Sequence, residues 1–212
     1  MKAREEDLDY IKYWQKRYAS GRNSGAGSYG ANAEYKSSVV NEIVEREGIQ
    51  TVLEFGCGDG NQLTYYRFPR YVGLDVTQAA VDMCSAKFAD DPTKSFRHYT
   101  PGEHLKLGSF DMTMAVEVLM HVTRDDDYFS TLQALLDNSL RWVVLIDPLW
   151  PVRKYEKGSH EKHRQLLEFL EDLDDFEIVE MRIHPSVTLE GRKNGEIGEM
   201  AADFVLLRRL GA

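Results

Sequence analysis

A chain of 212 residues, with 42% apolar and 29% charged side chains, has the make-up of one folded soluble domain with a sizeable core, and no repeat or shift in composition divides it. Its 35 acidic against 26 basic residues leave a formal net charge of -9, which disfavours nucleic acid as a partner. The two cysteines form no CxxC pair, no apolar stretch approaches the roughly 18 residues that span a bilayer, and MKAREEDLDY lacks the apolar core of a secretory signal; the expectation is a cytoplasmic chain without disulfide framework, structural zinc or membrane segment.

Leu8, Ile11, Trp14 or Gln15, and Tyr18 recur at helical spacing, which predicts an N-terminal helix over residues 5–19 that stops at Ser20-Gly21. Residues 20–30, SGRNSGAGSYG, read either as a flexible connection or as a lid over a ligand, with Tyr29 available to stack or hydrogen-bond. Tyr35, Val39, Val40, Ile43 and Val44 give a second helix its apolar stripe, ended by Gly48. The stretch TVLEFGCGDGNQL follows. Its short apolar strand carries Glu54 and ends in glycines at alternate positions, Gly56, Gly58 and Gly60, where the missing Cβ lets backbone approach a ligand. A helix is expected to start over residues 61–66, its free N–H groups toward the glycine turn, and Pro69 closes that segment.

YVGLD is the second strand, ending on Asp75, nineteen residues beyond Gly56. Thr77 caps a helix that runs to Phe88, residues 95–99 make a weak third strand, and SFDMTMAVEVLMHV carries a fourth as far as Glu117. Tyr128, Leu132, Leu135, Leu136 and Leu140 mark a further helix; residues 142–146 suit a buried parallel strand ended by Asp147-Pro148. A helix over residues 159–173 buries Leu166, Phe169, Leu170 and Leu173. FEIVEMRIHPSV and MAADFVLLRRL, with the turn-rich GRKNGEIG and no helix between them, read as an antiparallel pair.

Strands alternating with helices predict an α/β fold: a single Rossmann-like doubly wound sheet of about seven strands with a C-terminal antiparallel hairpin. Residues 1–30 would be the helix and candidate lid, and residues 31–212 the core. Ligands of such sheets bind at the carboxyl ends of the strands, where Glu54, Asp75, Glu117 and Asp147 all fall.

With these residues in place the chain resembles a class I S-adenosylmethionine-dependent methyltransferase over residues 35–212. EFGCGDG matches that family's E/D-x-G-x-G-x-G loop, Asp75 its ribose-binding acid and AVEVLMHV its fourth-strand segment. NSGAGSYG, VLMHV and the later His-x-x-His-Arg resemble a bacterial subgroup of small methyltransferases with no substrate attached. The resemblance implies S-adenosylmethionine as cofactor. Gly56, Cys57, Gly58 and Gly60 would hold its methionine portion, Asp75 its ribose hydroxyls, and Glu54 and Glu117 would lie near its amino group and sulfonium, with Tyr29, Val76 and Tyr99 completing the set. One departure stands out: FRHYTPGE offers His98, Tyr99 and Thr100 where the family commonly has an acid for the adenine amino group.

Methyl transfer needs a base only where the acceptor must lose a proton. His121 lies just past the fourth strand and is one candidate; as readily it is a packed histidine at a helix start. On the expected helix, His160, His163 and Arg164 share one face by the i, i+3, i+4 rule. That face suits a phosphate, sulfate or carboxylate on the acceptor, with His160 or His163 as alternative bases and Asp147 nearby; as a metal site it lacks a third ligand. The leading expectation is methyl transfer to a small molecule or glycan precursor at oxygen. The alternatives are a nicotinamide-dependent oxidoreductase, for which the third glycine comes too early, and a non-catalytic S-adenosylmethionine-binding scaffold.

Overall fold

The computed structural model describes residues 8–211. Seven strands, β1 Thr51–Phe55, β2 Arg70–Asp75, β3 Lys94–His98, β4 Phe110–Val116, β5 Ser139–Asp147, β6 Phe176–Arg182 and β7 Asp203–Arg209, form one sheet in the order β3-β2-β1-β4-β5-β7-β6. The first five are mutually parallel, while β7 runs antiparallel to both β5 and β6. Strand order reverses between β1 and β4, so the connections leaving their carboxyl ends diverge and open a crevice there.

Side chains alternate across each strand and divide the core into two layers. Leu53, Phe55 and Leu74 pack on one face with Tyr10 of α1 (Tyr10–Ala19) and with Tyr128, Leu132 and Leu135 of α4 (Asp125–Asp137). Val52, Met112 and Met114 pack on the other with Val40 and Ile43 of α2 (Gly30–Arg46) and Cys84 of α3 (Gln78–Lys87). Local chemistry sets the ends. Asp9 caps α1 by accepting from Lys12 N at 3.1 Å, Thr77 caps α3, and three aspartates in the first turn of α4 complement the positive end of its dipole.

The sheet, its C-terminal antiparallel pair and helices α1, α2 and α3 match expectation; the first residues of the expected N-terminal helix, Glu5 to Asp7, lie outside the described residues. Four details differ. Residues 61–66 form only a 3-10 turn, Gln62–Tyr65, because Pro69 stands too close to the glycine loop and Tyr66 and Phe68 turn into the core. Leu140 belongs to β5, which starts at Ser139, and is exposed. The helix expected over residues 159–173 shrinks to α5, Leu166–Glu171, since backbone before it and in its first turn bonds elsewhere: Lys162 N donates to Met120 O at 2.7 Å and Leu167 N to Leu149 O at 3.1 Å. A short helix, α6 Leu189–Lys193, interrupts the connection between β6 and β7.

That connection is fastened from inside. Arg192 and Asp203 are both buried side chains, paired at 2.8 Å, and the guanidinium also donates to Glu196 O, Ile197 O and Met200 O at 2.7–2.9 Å. Asp203 accepts in turn from His184 N at 2.9 Å. Removing one member strands a buried charge, so Arg192→Met should destabilise the fold by about 3–5 kcal/mol in urea denaturation.

Candidate functional site

At the carboxyl edge β1 passes into the glycine loop, where Gly56 N and Cys57 N both donate to Leu74 O, at 2.7 and 2.9 Å, folding the turn across the end of β2. Gly56 has a φ of 79°, and a Cβ there would run into Val118. Asp75, buried at the end of β2, accepts from Gly58 N at 3.1 Å and from Thr77 N and Oγ1 at 2.9 and 2.8 Å. The loop and the carboxylate that receives it are one unit. Between them and the end of β4 opens a cavity of about 440 Å³, of the size that takes a small molecule.

Of the expected cofactor residues, Glu54, Gly56, Cys57, Gly58, Asp75, Val76, Tyr99 and Glu117 line this one cavity. Gly60 lies behind the loop, packed against Cys84 and Phe88. Tyr29 also stands off the wall: its hydroxyl donates to Asp59 Oδ2 at 2.8 Å. Residues 24–29 are docked instead of loose. Ser24 N donates to the same Asp59 oxygen at 2.7 Å, Asn61 Nδ2 donates to Ser28 O at 2.7 Å, and Gly27 lies against the Glu117 carboxylate with no room for a side chain.

Several carboxylates line the cavity, Glu54 and Glu117 among them. Glu54 is buried and accepts from the Tyr71 hydroxyl; burial pushes its carboxyl up to about 7, opposed by that hydrogen bond and by Lys36. Glu117 has a φ of 53°, a positive value that no other non-glycine residue has among those described, and its carboxylate pairs with the fully buried ammonium of Lys36. Gln62 lines the same wall. Its amide nitrogen donates to Ala33 O and Ser37 Oγ, at 2.9 and 2.6 Å, and its buried Oε1 is left without a partner.

An aromatic cluster lines another part of the cavity. His121 stacks on His160 with centroids 5.4 Å apart and planes at 7°, and meets the Trp14 ring edge-on at 5.0 Å. His121 Nδ1 lies 2.9 Å from His160 O. A carbonyl only accepts, so Nδ1 carries the proton and the neutral ring keeps its lone pair on Nε2. Burial lowers the pKa of this imidazole and favours the neutral form. Tyr10, Trp14, Arg17 and Tyr18 bring α1 onto the cavity, and residues 197–201 close it from the connection pinned by Arg192.

The expected cluster at His160, His163 and Arg164 does not form a shared face, because no helix runs through it. His160 reaches the cavity. His163 is buried away from the wall, 3.6 Å from Glu161 and with neither ring nitrogen hydrogen-bonded. Arg164 is committed to Val122 O and Thr123 O, both at 3.1 Å, to Asp125 at 2.8 Å and to the Tyr128 ring at 4.0 Å. Asp147 is likewise internal: it accepts from Val118, Leu119 and Met120 N, each at 2.9 Å, and so holds the turn that presents His121. Among the described residues no group of three or more histidines, cysteines or acids could hold a metal ion, and no helix is long and apolar enough to cross a membrane.

Lys36, Asp59, Gln62 and Tyr10 were not singled out in the sequence, and Trp14 and Tyr18 were read only as part of a packing face of the first helix. Tyr10, Trp14 and Tyr18 do carry a signal, an i, i+4, i+8 aromatic stripe, while Lys36 looks like any polar residue on an amphipathic helix.

A family model described as a methyltransferase domain matches residues 53–139. The fold resembles the N-methyltransferase NodS from Bradyrhizobium japonicum WM9, solved with S-adenosyl-L-homocysteine: TM-score 0.72, 12% identity, covering 96% of this chain and 100% of that one. It also resembles magnesium protoporphyrin IX methyltransferase (ChlM) from Synechocystis PCC 6803, solved with bound SAM, at TM-score 0.66 and 15% identity over 98% and 100% of the two chains. An S-adenosylmethionine-dependent methyltransferase from Clostridium acetobutylicum ATCC 824 gives TM-score 0.64 and 10% identity over 95% and 99%. Comparison with curated protein sequences returns no match. The family match over residues 53–139 is to a methyltransferase domain, and the fold is the one that these S-adenosylmethionine-dependent methyltransferases share.

The residues present fit that cofactor. A carboxylate with two oxygens at Asp75 suits a vicinal diol, the unpartnered Gln62 Oε1 suits an ammonium group, and Glu54 and Glu117 favour a cation. Asp75→Ala should weaken S-adenosylhomocysteine by about 1–3 kcal/mol in calorimetry. A second expectation concerns pH. The folded-state pKa of Glu54 lies above its unfolded value of roughly 4.3, so its contribution to stability is complete below that value and is lost as pH rises through about 7. Glu54→Gln should flatten the fall in the stability of the free protein between pH 5 and 8, measured by urea denaturation.

Proposed function

We propose that the chain transfers a methyl group from S-adenosylmethionine to a hydroxyl oxygen of a small molecule, glycan precursors included. S-adenosylmethionine supplies an already activated methyl group, so the protein's share of the work is positioning and proton removal. Asp75, the backbone of residues 56–58 and Gln62 would hold the nucleoside and amino-acid parts, with Tyr99 and Val76 beside the base.

The observation that carries the oxygen reading is the state of His121. Its Nδ1 is tied to His160 O, its neutral form is favoured, and its ring lines the cavity that the glycine loop also borders. A hydroxyl acceptor has to lose a proton as the new bond forms, and Nε2 can take it. His160 supports this role through its carbonyl and its stacked ring. With Arg164 engaged internally, the anion-binding role expected of it loses its free cation, and Arg17 and Arg153 are the guanidiniums left on the cavity wall.

A labelled-methyl screen of hydroxylated small molecules, with the methylated atom located by NMR, tests the reading. His121→Ala should lower kcat by about a hundredfold or more with cofactor affinity unchanged. Because the base form exists only above its pKa, the wild-type rate should climb with pH through an apparent pKa below 6.5 and be level by neutrality. Methylation at nitrogen, or a His121→Ala rate equal to wild type, would overturn the oxygen mechanism. Tight cofactor binding with no acceptor methylated would favour a scaffold.

A further inference from the structure

Lys36 is the one buried cation at the acidic wall among the described residues, and the proposed transfer step does not use it. It sits on α2 with no exposed surface, and its ammonium pairs with the Glu117 carboxylate, which itself faces the cavity. Its charge also acts on Glu54 on the same wall. A lysine with no access to water and one ion-pair partner is a poor stability device, since the desolvation of the ammonium offsets most of the attraction it gains. What the pair does change is the potential inside the cavity. Unpaired, Glu117 would add a full negative charge to a wall that already carries Glu54 and Asp75; paired, it adds a dipole.

The two ligands of a methyl-transfer site differ in charge at one atom. The donor carries a sulfonium, and the product left after transfer is a neutral thioether. Any negative potential in the cavity therefore stabilises donor over product, and any cation moves the balance back. We infer that Lys36 sets this preference: by cancelling the charge of Glu117 it limits how far the site favours the cationic donor over its neutral product. The inference rests on S-adenosylmethionine occupying the cavity. Lys36 acts through Glu117 and the field of the wall, as a positioning residue for charge.

The strained backbone of Glu117 agrees with a side chain placed for this purpose. Its positive φ turns the carboxylate back toward α2, where Lys36 meets it, and Gly27 has no side chain at the point of closest approach. Removing the lysine leaves a carboxylate that still faces the cavity; removing the glutamate leaves a buried cation beside it. The two changes should push the preference in opposite directions.

The test is calorimetric titration of S-adenosylmethionine and S-adenosylhomocysteine into wild type, Lys36→Met, Glu117→Gln and the double variant, at pH 8.5 so that the buried carboxyls are ionised. Lys36→Met should shift the ratio of the two affinities toward the donor by on the order of tenfold. Glu117→Gln should shift it toward the product by a similar factor, and the double variant should return to near the wild-type ratio. Circular dichroism checks folding; Lys36→Gln, which keeps a donor to Glu117, gives the same shift if Lys36→Met folds poorly. An unchanged ratio in both single variants overturns the inference. So does a Lys36→Met loss equal for both ligands, which would mean that the lysine holds a group they share. Failure of wild type to bind either ligand would instead refute the cofactor reading.

Discussion

Buried aspartates that receive backbone N–H groups hold the working edge of this sheet together. A parallel sheet ends in turns whose amides have no strand partner, and buried amides cannot go unpaired. Asp75 takes those of Gly58 and Thr77, and Asp147 takes those of Val118, Leu119 and Met120. Asp59 does the same for Ser24 and Asn61, and Asp203 for His184. Each acceptor ties one segment around the cavity: the glycine loop, the turn before His121, the stretch over residues 24–29, and the connection before β7. Two of them, Asp59 and Asp75, also line the cavity and add to its negative charge beside Glu54 and Glu117.

Burial and hydrogen bonding pull the carboxyls of Asp75, Asp147 and Asp203 in opposite directions. Asp147 is pushed up to about 7 by burial in spite of three N–H donors, and Asp75 is raised as well. Stability held back in this way is the usual companion of a site whose charges must be available to a ligand. The aromatic wall has the opposite character. Tyr13, His160, His121 and Trp14 contact one another in sequence, with centroid separations of 5.0–5.4 Å, and fix an imidazole in one tautomer without any charged partner on the ring nitrogen that holds the proton. The acidic groups of the cavity thus suit a cationic donor, and in the proposed reaction the neutral His121 ring takes the acceptor's proton.

Much of the fold was legible because local pattern and tertiary environment agree. Val52, Leu53 and Phe55 read as a strand, Gly56 needs its positive φ, and Asp75 ends a second apolar run, so most of the residues that line the cavity around the glycine loop could be named from the pattern. The acceptor half was less readable for physical reasons. Charge and helical spacing suggested a face at His160, His163 and Arg164, yet the backbone there bonds to Met120 and Leu149, which no periodicity reveals. Arg164 and Asp147 look like ligand groups in sequence and serve as internal fasteners in the fold. Lys36, conversely, is an ordinary helix residue in sequence and becomes part of the site only because Glu117 turns back to meet it.

The most direct measurement is a crystal structure with S-adenosylhomocysteine bound. The predicted result places the ribose hydroxyls on Asp75, the ammonium on Gln62 Oε1, and the thioether sulfur facing the His121 ring across open space for an acceptor. A nucleoside bound elsewhere, or a sulfur turned away from His121, would contradict the reading of this cavity as a methyl-transfer chamber.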